Sequence, residues 1–247
     1  MKIETCINPK FSHLDEFTKP LPERFDFIGQ EMKTGKTELR LVSVNGLLLT
    51  VKRFNRISLA HRILFSTICK SKARMAYEHS MLLAERDLTP KPVAYIDIYS
   101  KGLLQTSFYI CLYTDRRPVE EMLSLPVAEA DEGLKSFARF TCRLHKAGIY
   151  HDDYTLNNVL YKYNGFSYDF SLIDNDNLRI GRYSRRRGIR NLRRLSLPVD
   201  KMAIVAAEYA RESGTNELIT LNAMIFYRLH HIAKAAVRKW AKIRHET

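Results

Sequence analysis

Between Tyr150 and Asp176 the chain places oxygen donors at intervals that suit the transfer of a phosphoryl group. His151-Asp152-Asp153 is followed by Asn157-Asn158, then by the apolar run Val159-Leu160-Tyr161, and Leu172-Ile173 ends in Asp174. A hydroxyl attacking a γ-phosphate needs an acceptor for its proton and a fixed direction, which one carboxylate supplies. Mg²⁺ is a hard cation and takes an amide oxygen and a second carboxylate. Asp152 with Asn157 and Asp153 with Asn158 have the same spacing, so the register has to be chosen. His151-x-Asp153 matches a catalytic-loop pattern and Asn158 directly precedes the apolar run. Asp153 is therefore read as the base, with Asn158 and Asp174 as Mg²⁺ ligands. His151 is read as holding the loop by hydrogen bonds. A polar turn between strands uses the same residue types, and the upstream elements decide between the two.

Those elements begin with a meander over residues 25–54. Phe25–Glu31 is the first expected strand, with a turn through Lys33-Thr34-Gly35-Lys36. Thr37–Val44 is the second, Asn45-Gly46 is a two-residue hairpin signal, and Leu47–Phe54 is the third. Gly29 and Gly35 are what remains of a glycine-rich, nucleotide-covering loop, and Lys33, Thr34 and Lys36 offer N–H groups and charge to phosphate; a plain hairpin turn reads equally well. Lys52 lies on the apolar third strand, where it is expected to meet the α/β-phosphates and to need a carboxylate partner. The helix expected over Ser71–Arg86 supplies Glu78, with Glu85 as the second choice.

Pro90 and Pro92 end that helix, strands follow at Val93–Tyr99 and Phe108–Leu112, and Tyr113-Thr114-Asp115 forms the expected hinge. Val119–Leu123 and Glu132–Lys146 read as helices, the second with Leu134, Phe137, Phe140 and Leu144 at helical spacing. His145 reads as a structural residue near that helix's end. The arrangement predicts an α+β, two-lobed protein-kinase-like fold, with a small β-rich N-lobe and a mainly helical C-lobe. Residues 1–24 are read as an N-terminal extension, 25–112 as the N-lobe and 113–247 as the C-lobe.

Composition sets the outer limits. With 247 residues, 45% of them hydrophobic, the chain can bury a core. No apolar run reaches membrane-spanning length and no signal-peptide region opens the sequence, which predicts a cytoplasmic protein. Cys6, Cys69, Cys111 and Cys142 form no C-x-x-C pair and read as free thiols, mostly buried. The net charge of +13 predicts a polyanionic partner.

With these motifs in place the sequence resembles the bacterial lipopolysaccharide-core kinases, which phosphorylate Kdo or heptose of the inner core. The resemblance rests on Thr50-Val-Lys52-Arg53-Phe54, on Ala76-Tyr77-Glu78 leading into Thr89-Pro90-Lys91-Pro92-Val93-Ala94-Tyr95, and on Leu144-His145-x-x-Gly148-Ile-Tyr-His151-x-Asp153. Asn158-Val-Leu, Leu172-Ile173-Asp174-x-Asp176 and Arg190-Asn191-Leu192-x-Arg194-Leu195 complete it, so that it spans about residues 25–200. It implies ATP and Mg²⁺, and transfer to a sugar hydroxyl on a lipid-linked core oligosaccharide of the Kdo–lipid A type. The chain departs from the pattern at position 152, which is Asp where the wider superfamily often carries Arg or Gly, and at position 175, where Asn stands in place of an expected apolar residue.

Downstream, between Arg179 and Arg194, Arg182, Arg185, Arg186, Arg187, Arg190 and Arg193 form a basic run, the candidate for binding the acceptor's carboxylate or phosphate. A solvated basic face is the plainer account of any one of them. Helices are expected over Lys201–Arg211 and Ile219–Arg244. In the last, Ile225, Leu229, Ile232, Ala236, Trp240 and Ile243 form a stripe beside Lys234, Arg238, Lys239, Lys242 and Arg244. Packing in the C-lobe core is the expectation for that stripe; a helix on an anionic membrane surface is the alternative. Two other functions stand against the sugar kinase. One is an atypical small-molecule or protein kinase. The other is a catalytically dead kinase-fold module that binds a polyanion or membrane. The basic run lacks interleaved aromatic residues, which argues against nucleic acid.

Overall fold

A computed structural model describes residues 1–35, 37–55, 57–67 and 69–246, without the side chains of residues 67, 239 and 242–246. Lys36 of the expected phosphate-facing turn lies outside the described residues, and the side chains of Lys239, Lys242, Ile243 and Arg244 lie outside the description. The chain divides into two compact units, Met1–Asp115 with Ser171–Asn177, and Arg116–Phe170 with Leu178–Thr247.

The first unit is built on a six-stranded antiparallel sheet in the order β1-β5-β6-β4-β3-β2. The strands are β1 (Lys2–Ile7), β2 (Gln30–Lys33), β3 (Glu38–Val44), β4 (Leu47–Phe54), β5 (Pro92–Ser100) and β6 (Leu103–Leu112). Asn45 and Gly46 both adopt positive φ, 50° and 77°, which the two-residue turn between β3 and β4 requires. Alternation along β4 buries Leu49 and Val51 on one face and Phe54 on the other, and Lys52 shares the side of Phe54.

The segment read as an N-terminal extension is integral to this unit. β1 pairs with β5 over its whole length, from Lys2↔Tyr99 to Ile7↔Ala94. Two short helices follow, α1 (Asp15–Thr18) and α2 (Leu21–Arg24). Leu14, Leu21 and Phe25 are no more than 1% exposed and pack on Leu49, Val51, Ile96 and Phe108. Burying a side chain of that size stabilises by roughly 1.5–3 kcal/mol, so three of them fix the segment to the sheet. The same packing overturns the strand expected at Phe25–Glu31. Phe25–Phe27 is a 3₁₀ turn that places Phe25 in the core, and the strand begins only at Gln30. Gly29, φ +64°, sits between them, and a Cβ there would lie 2.2 Å from the Leu41 carbonyl oxygen.

The opposite face is covered by α4 (Lys72–Ala84), which follows α3 (Leu59–Thr67). Ser71 caps α4 by accepting from the Arg74 N–H at 3.0 Å. Ala73 and Tyr77 of α4 pack on Phe54 and Tyr95.

The second unit holds β7 (Arg117–Pro118), a 3₁₀ turn at Val119–Ser124, α5 (Val127–Lys146), β8 (Ile149–His151), β9 (Val159–Tyr163), the start of β10 (Tyr168–Leu172) and β11 (Leu178–Ile180). Its helices α6 (Arg185–Asn191), α7 (Val199–Ser213) and α8 (Glu217–Glu246) complete it. α5 buries Leu134, Phe137, Phe140 and Leu144 as its spacing predicts. α8 behaves otherwise. Leu229, Ile232 and Trp240, expected in the core, are 60%, 52% and 71% exposed, while Thr220 and Met224 supply its buried side. The period was legible but the phase was not, because apolar residues lie on both sides of this helix. Among the cysteines, Cys69 is exposed, Cys6 half-buried, and Cys111 and Cys142 buried; all four are free. Among the described residues no helix is long and apolar enough to cross a membrane.

Candidate active site

The candidate residues form two groups, one in each unit. In the first, the Lys52 ammonium makes an ion pair with the Asp174 carboxylate and lies 4.8 Å from the centroid of the Phe54 ring. Asp174 sits at φ +61°, a left-handed conformation uncommon outside glycine, though Asp and Asn adopt it more readily than most residues, and its surroundings must hold it there. Its neighbours do so. The Leu172 N–H donates to the Leu88 carbonyl at 2.7 Å, and the Thr89 hydroxyl donates to the Leu172 carbonyl at 2.8 Å. Buried Asn175 donates its Nδ2 to Ser80 Oγ and Thr89 Oγ1, both at 2.9 Å, and its carbonyl accepts from His79 Nδ1 at 2.6 Å. Asn175, the departure from the family pattern, thus ties the Asp174 turn to α4.

Glu78, expected to pair with Lys52, does not. It binds Lys70 at 2.5 Å and Arg74 at 2.9 Å. α4 positions the Asp174 turn through the contacts of His79 and Ser80 to Asn175 and leaves the lysine's charge to Asp174. Glu78→Gln is therefore expected to leave the KM for ATP within about twofold and to cost at most about 1 kcal/mol of stability, since its pairs are largely exposed. A KM raised 100-fold, read by steady-state kinetics, would restore Glu78 as the partner.

Of the two glycines assigned to nucleotide, Gly29 is held by its close approach to Leu41, a packing role in place of the one expected. Gly35 lies in the β2–β3 turn at φ +143°, with open space where a Cβ would be.

In the second unit the chain leaves α5 through Gly148, φ +77°, where a Cβ would lie 1.8 Å from the Gly181 carbonyl oxygen. β8 then pairs with β11, Leu178 opposite His151. Tyr154 and Leu156 are buried and pin the loop, with the Tyr154 hydroxyl 2.7 Å from Thr141 Oγ1. The half-exposed Asp153 carboxylate is bound by Arg194 Nη1 at 2.5 Å. Asn158 Nδ2 donates to the Asp153 backbone carbonyl at 2.9 Å, a bond that spans the loop. That bond uses the amide's donor end; its oxygen is the end a hard cation takes. Asp152 instead binds Arg179 at 2.5 Å.

His151 is fully buried, and its backbone is held on both sides by Asn191. The His151 N–H donates to Asn191 Oδ1 at 3.3 Å and Asn191 Nδ2 donates to the His151 carbonyl at 2.8 Å. The same Asn191 Oδ1 lies 3.0 Å from Nε2 of buried His145, whose Nδ1 is 3.0 Å from the Tyr209 hydroxyl. A neutral imidazole with its proton on Nε2 satisfies both contacts. Burial pushes His145 down to about 4 from its ordinary 6.5. The unfolded chain thus binds the proton more readily, and stability present above pH 6.5 is lost as the pH falls towards 4. The loss amounts to roughly 3 kcal/mol. Denaturant midpoints measured from pH 7 to pH 4 should fall accordingly, and His145→Gln should flatten the curve.

Of the expected acceptor arginines, Arg186, Arg187 and Arg190 line a cavity of about 460 Å³ within the second unit. Arg193 of the same run lines it as well, Arg182 and Arg185 do not, and Arg179, which the sequence reading left at the edge of the run, does. The signal for Arg179 was β11 itself, whose pairing with β8 brings it beside Asp152.

Taken one by one, the donor types suit a hard cation: Asp174 of the first unit carries a carboxylate and Asn158 of the second an amide oxygen, while Lys52 is a cation of the kind that binds phosphate. Among the described residues there is no group of three His, Cys, Asp or Glu side chains that could hold a metal.

An antiparallel β-rich first unit and a largely helical second one, with a lysine on β4 and the His-x-Asp loop after β8, define a protein-kinase-like fold. No protein-family model matches the sequence, and no curated protein matches it. Among solved structures, WaaP in complex with acyl carrier protein is similar over 94% of this chain and 98% of that one, with a TM-score of 0.62 and 17% identity. The Rio2 kinase from Chaetomium thermophilum, in its ADP/Mg²⁺-phosphoaspartate complex, is similar over 91% of this chain and 62% of that one, with a TM-score of 0.46 and 15% identity. The resemblance to the lipopolysaccharide-core kinases holds at the level of the fold.

Proposed function

We propose that the protein is an ATP-dependent kinase that transfers the γ-phosphate to a sugar hydroxyl of the lipopolysaccharide inner core, on Kdo first and heptose next. The observation that carries this reading is Asp174, held at a left-handed φ by contacts to α4 and Thr89 and ion-paired with Lys52. A fold keeps such strain where a charge must be aimed. In this reading the first unit is the nucleotide-binding lobe and the second carries catalysis and the acceptor. Lys52 would hold the α/β-phosphates, Asp174 and Asn158 are the residues that would hold Mg²⁺, and Asp153 would accept the proton of the attacking hydroxyl. Mg²⁺, when bound, neutralises charge on the β- and γ-phosphates. Arg194 keeps the Asp153 carboxylate oriented, and His151, through Asn191, fixes the loop's entry. The choice of lipopolysaccharide as acceptor is supported by the motifs the sequence shares with that group and by the WaaP-like fold.

The direct test is transfer of labelled γ-phosphate from Mg·ATP to Kdo-bearing lipid A, with Asp153→Asn as control. Label in the lipid that disappears in the control supports the reading. Label that enters only heptose-bearing lipid moves the acceptor. Nucleotide binding with no transfer to either lipid would favour the dead module or a kinase of another class.

The same reading places the protein on the anionic inner face of the cytoplasmic membrane. Ile219, Phe226, Leu229, Val237 and Trp240 recur on one exposed side of α8, flanked by Lys234 and Arg238. Sedimentation with phosphatidylglycerol vesicles should pull the protein down at low salt. Phe226→Ser with Trp240→Ser should reduce the bound fraction several-fold, and binding equal to the wild type would refute this docking.

A further inference from the structure

The cavity in the second unit is walled by Arg179, Arg186, Arg187, Arg190 and Arg193, with Asp152 as the single carboxylate among its lining residues. Only Arg179 has a charged partner in that wall, Asp152 at 2.5 Å. Three of the others, Arg186, Arg187 and Arg193, are held by neutral groups. The Arg187 guanidinium lies 4.2 Å from the centroid of the Tyr150 ring. Arg186 Nε donates to the Tyr227 hydroxyl at 3.3 Å, and Arg193 Nη1 donates to the Arg190 carbonyl at 3.1 Å. Such partners fix the direction of a guanidinium without cancelling its charge. Arg193 registers the result: burial first, then the nearby Arg194, Arg190 and Arg179, push it below the usual arginine value. Five like charges facing one carboxylate, with Arg187 and Arg193 half-buried, repel each other unless an anion joins them. Guanidiniums fixed in advance lose little entropy in binding one, and their fork matches phosphate oxygens two at a time.

The cavity also has a defined place relative to the catalytic loop. Asp152 in its wall immediately precedes Asp153, and Asn191, another lining residue, holds both backbone groups of His151. An anion bound here therefore sits beside the proposed base, where an acceptor's charged group would lie close to its reacting hydroxyl. The excess of positive charge suits a phosphate dianion better than the single charge of a sugar carboxylate.

We propose that this cavity binds a phosphate group carried by the acceptor. The acceptor is then a saccharide already phosphorylated, and an earlier phosphoryl transfer supplies the substrate of this one. The assignment to the acceptor rests on the kinase reading; the anion site does not.

The test titrates the full chain with inorganic pyrophosphate by calorimetry, alone and with Mg·ADP. Wild type should bind, more weakly as salt rises, and Arg186→Gln with Arg190→Gln should weaken binding at least about tenfold. Asp152→Asn should tighten it several-fold, since it removes the only opposing charge in the wall. Arg190→Lys, which keeps the charge and loses the fork, should fall between wild type and the double variant and guards against a variant that does not fold. Equal binding by wild type and double variant, or displacement of pyrophosphate by Mg·ADP, would overturn the proposal. A second arm compares transfer to matched acceptors with and without a phosphate. The double variant should raise KM for the phosphorylated acceptor alone and leave its kcat in place; an equal rise for both would overturn the acceptor assignment. If neither acceptor is labelled while the pyrophosphate pattern holds, the kinase reading fails and the anion site stands.

Discussion

Replacing Asp174 with asparagine should lower phosphoryl transfer on the order of 100-fold or more and weaken Mg·ATP binding at least about tenfold. The substitution is close to isosteric, and asparagine is among the few residues that tolerate a left-handed backbone, so φ +61° survives it. Asn175 keeps its bonds to Ser80 and Thr89, and His79 keeps the carbonyl that follows. What is lost is one negative charge. Lys52 loses its partner at the same time, so the variant's free enzyme carries an uncompensated, largely buried ammonium. That predicts a modest fall in melting temperature that Mg-free ATP partly restores. Asp174→Ala would confound the experiment, because alanine strains the left-handed turn by about 1–2 kcal/mol. Equilibrium binding of Mg·ATP measured on Asp174→Asn decides the matter: an unchanged affinity would remove Asp174 from the metal site.

The parts of this arrangement that were legible in the sequence are the ones fixed by local rules. Asn45-Gly46 demands a tight turn of one hand, so β3 and β4 are bounded within a residue of their expected limits. The Asp153–Asn158 spacing is likewise local, and the bond between Asn158 and the Asp153 carbonyl spans only five residues. The missed features depend on partners distant along the chain. Lys52 had to choose among several carboxylates, and its partner lies 122 residues away while Glu78 is held by Arg74 on its own helix and by Lys70 just before it. β1 pairs with a strand some ninety residues later and is buried only in part, so its alternation was too weak to read as a strand. Asn175 was visible as an anomaly, but its purpose needs Ser80 and Thr89 in place. The arginine cavity was half visible for the same reason. Arg186, Arg187 and Arg190 are close in sequence, whereas Arg179 reaches the cavity through the pairing of β11 with β8.

Asp153→Asn separates proton acceptance from nucleotide binding, and the two should part by orders of magnitude. An asparagine oxygen still accepts from Arg194, and the backbone carbonyl at 153 still receives Asn158 Nδ2, so the loop keeps its form. Only the ability to take a proton goes. Loss of a positioned general base lowers transfer by about 10²–10⁴-fold, while the Kd for Mg·ATP should stay within about twofold of wild type. Asp174→Asn lowers both quantities, so the pair of variants assigns each aspartate its own role without appeal to the other. The neighbouring aspartate sharpens the test further. Asp152 is turned to Arg179 and the arginine cavity, so its replacement should act through the KM of an anionic acceptor and leave the pH-independent kcat nearly unaltered. Near-normal kcat in Asp153→Asn, together with a collapse in Asp152→Asn, would shift the loop's register by one residue and make Asp152 the proton acceptor.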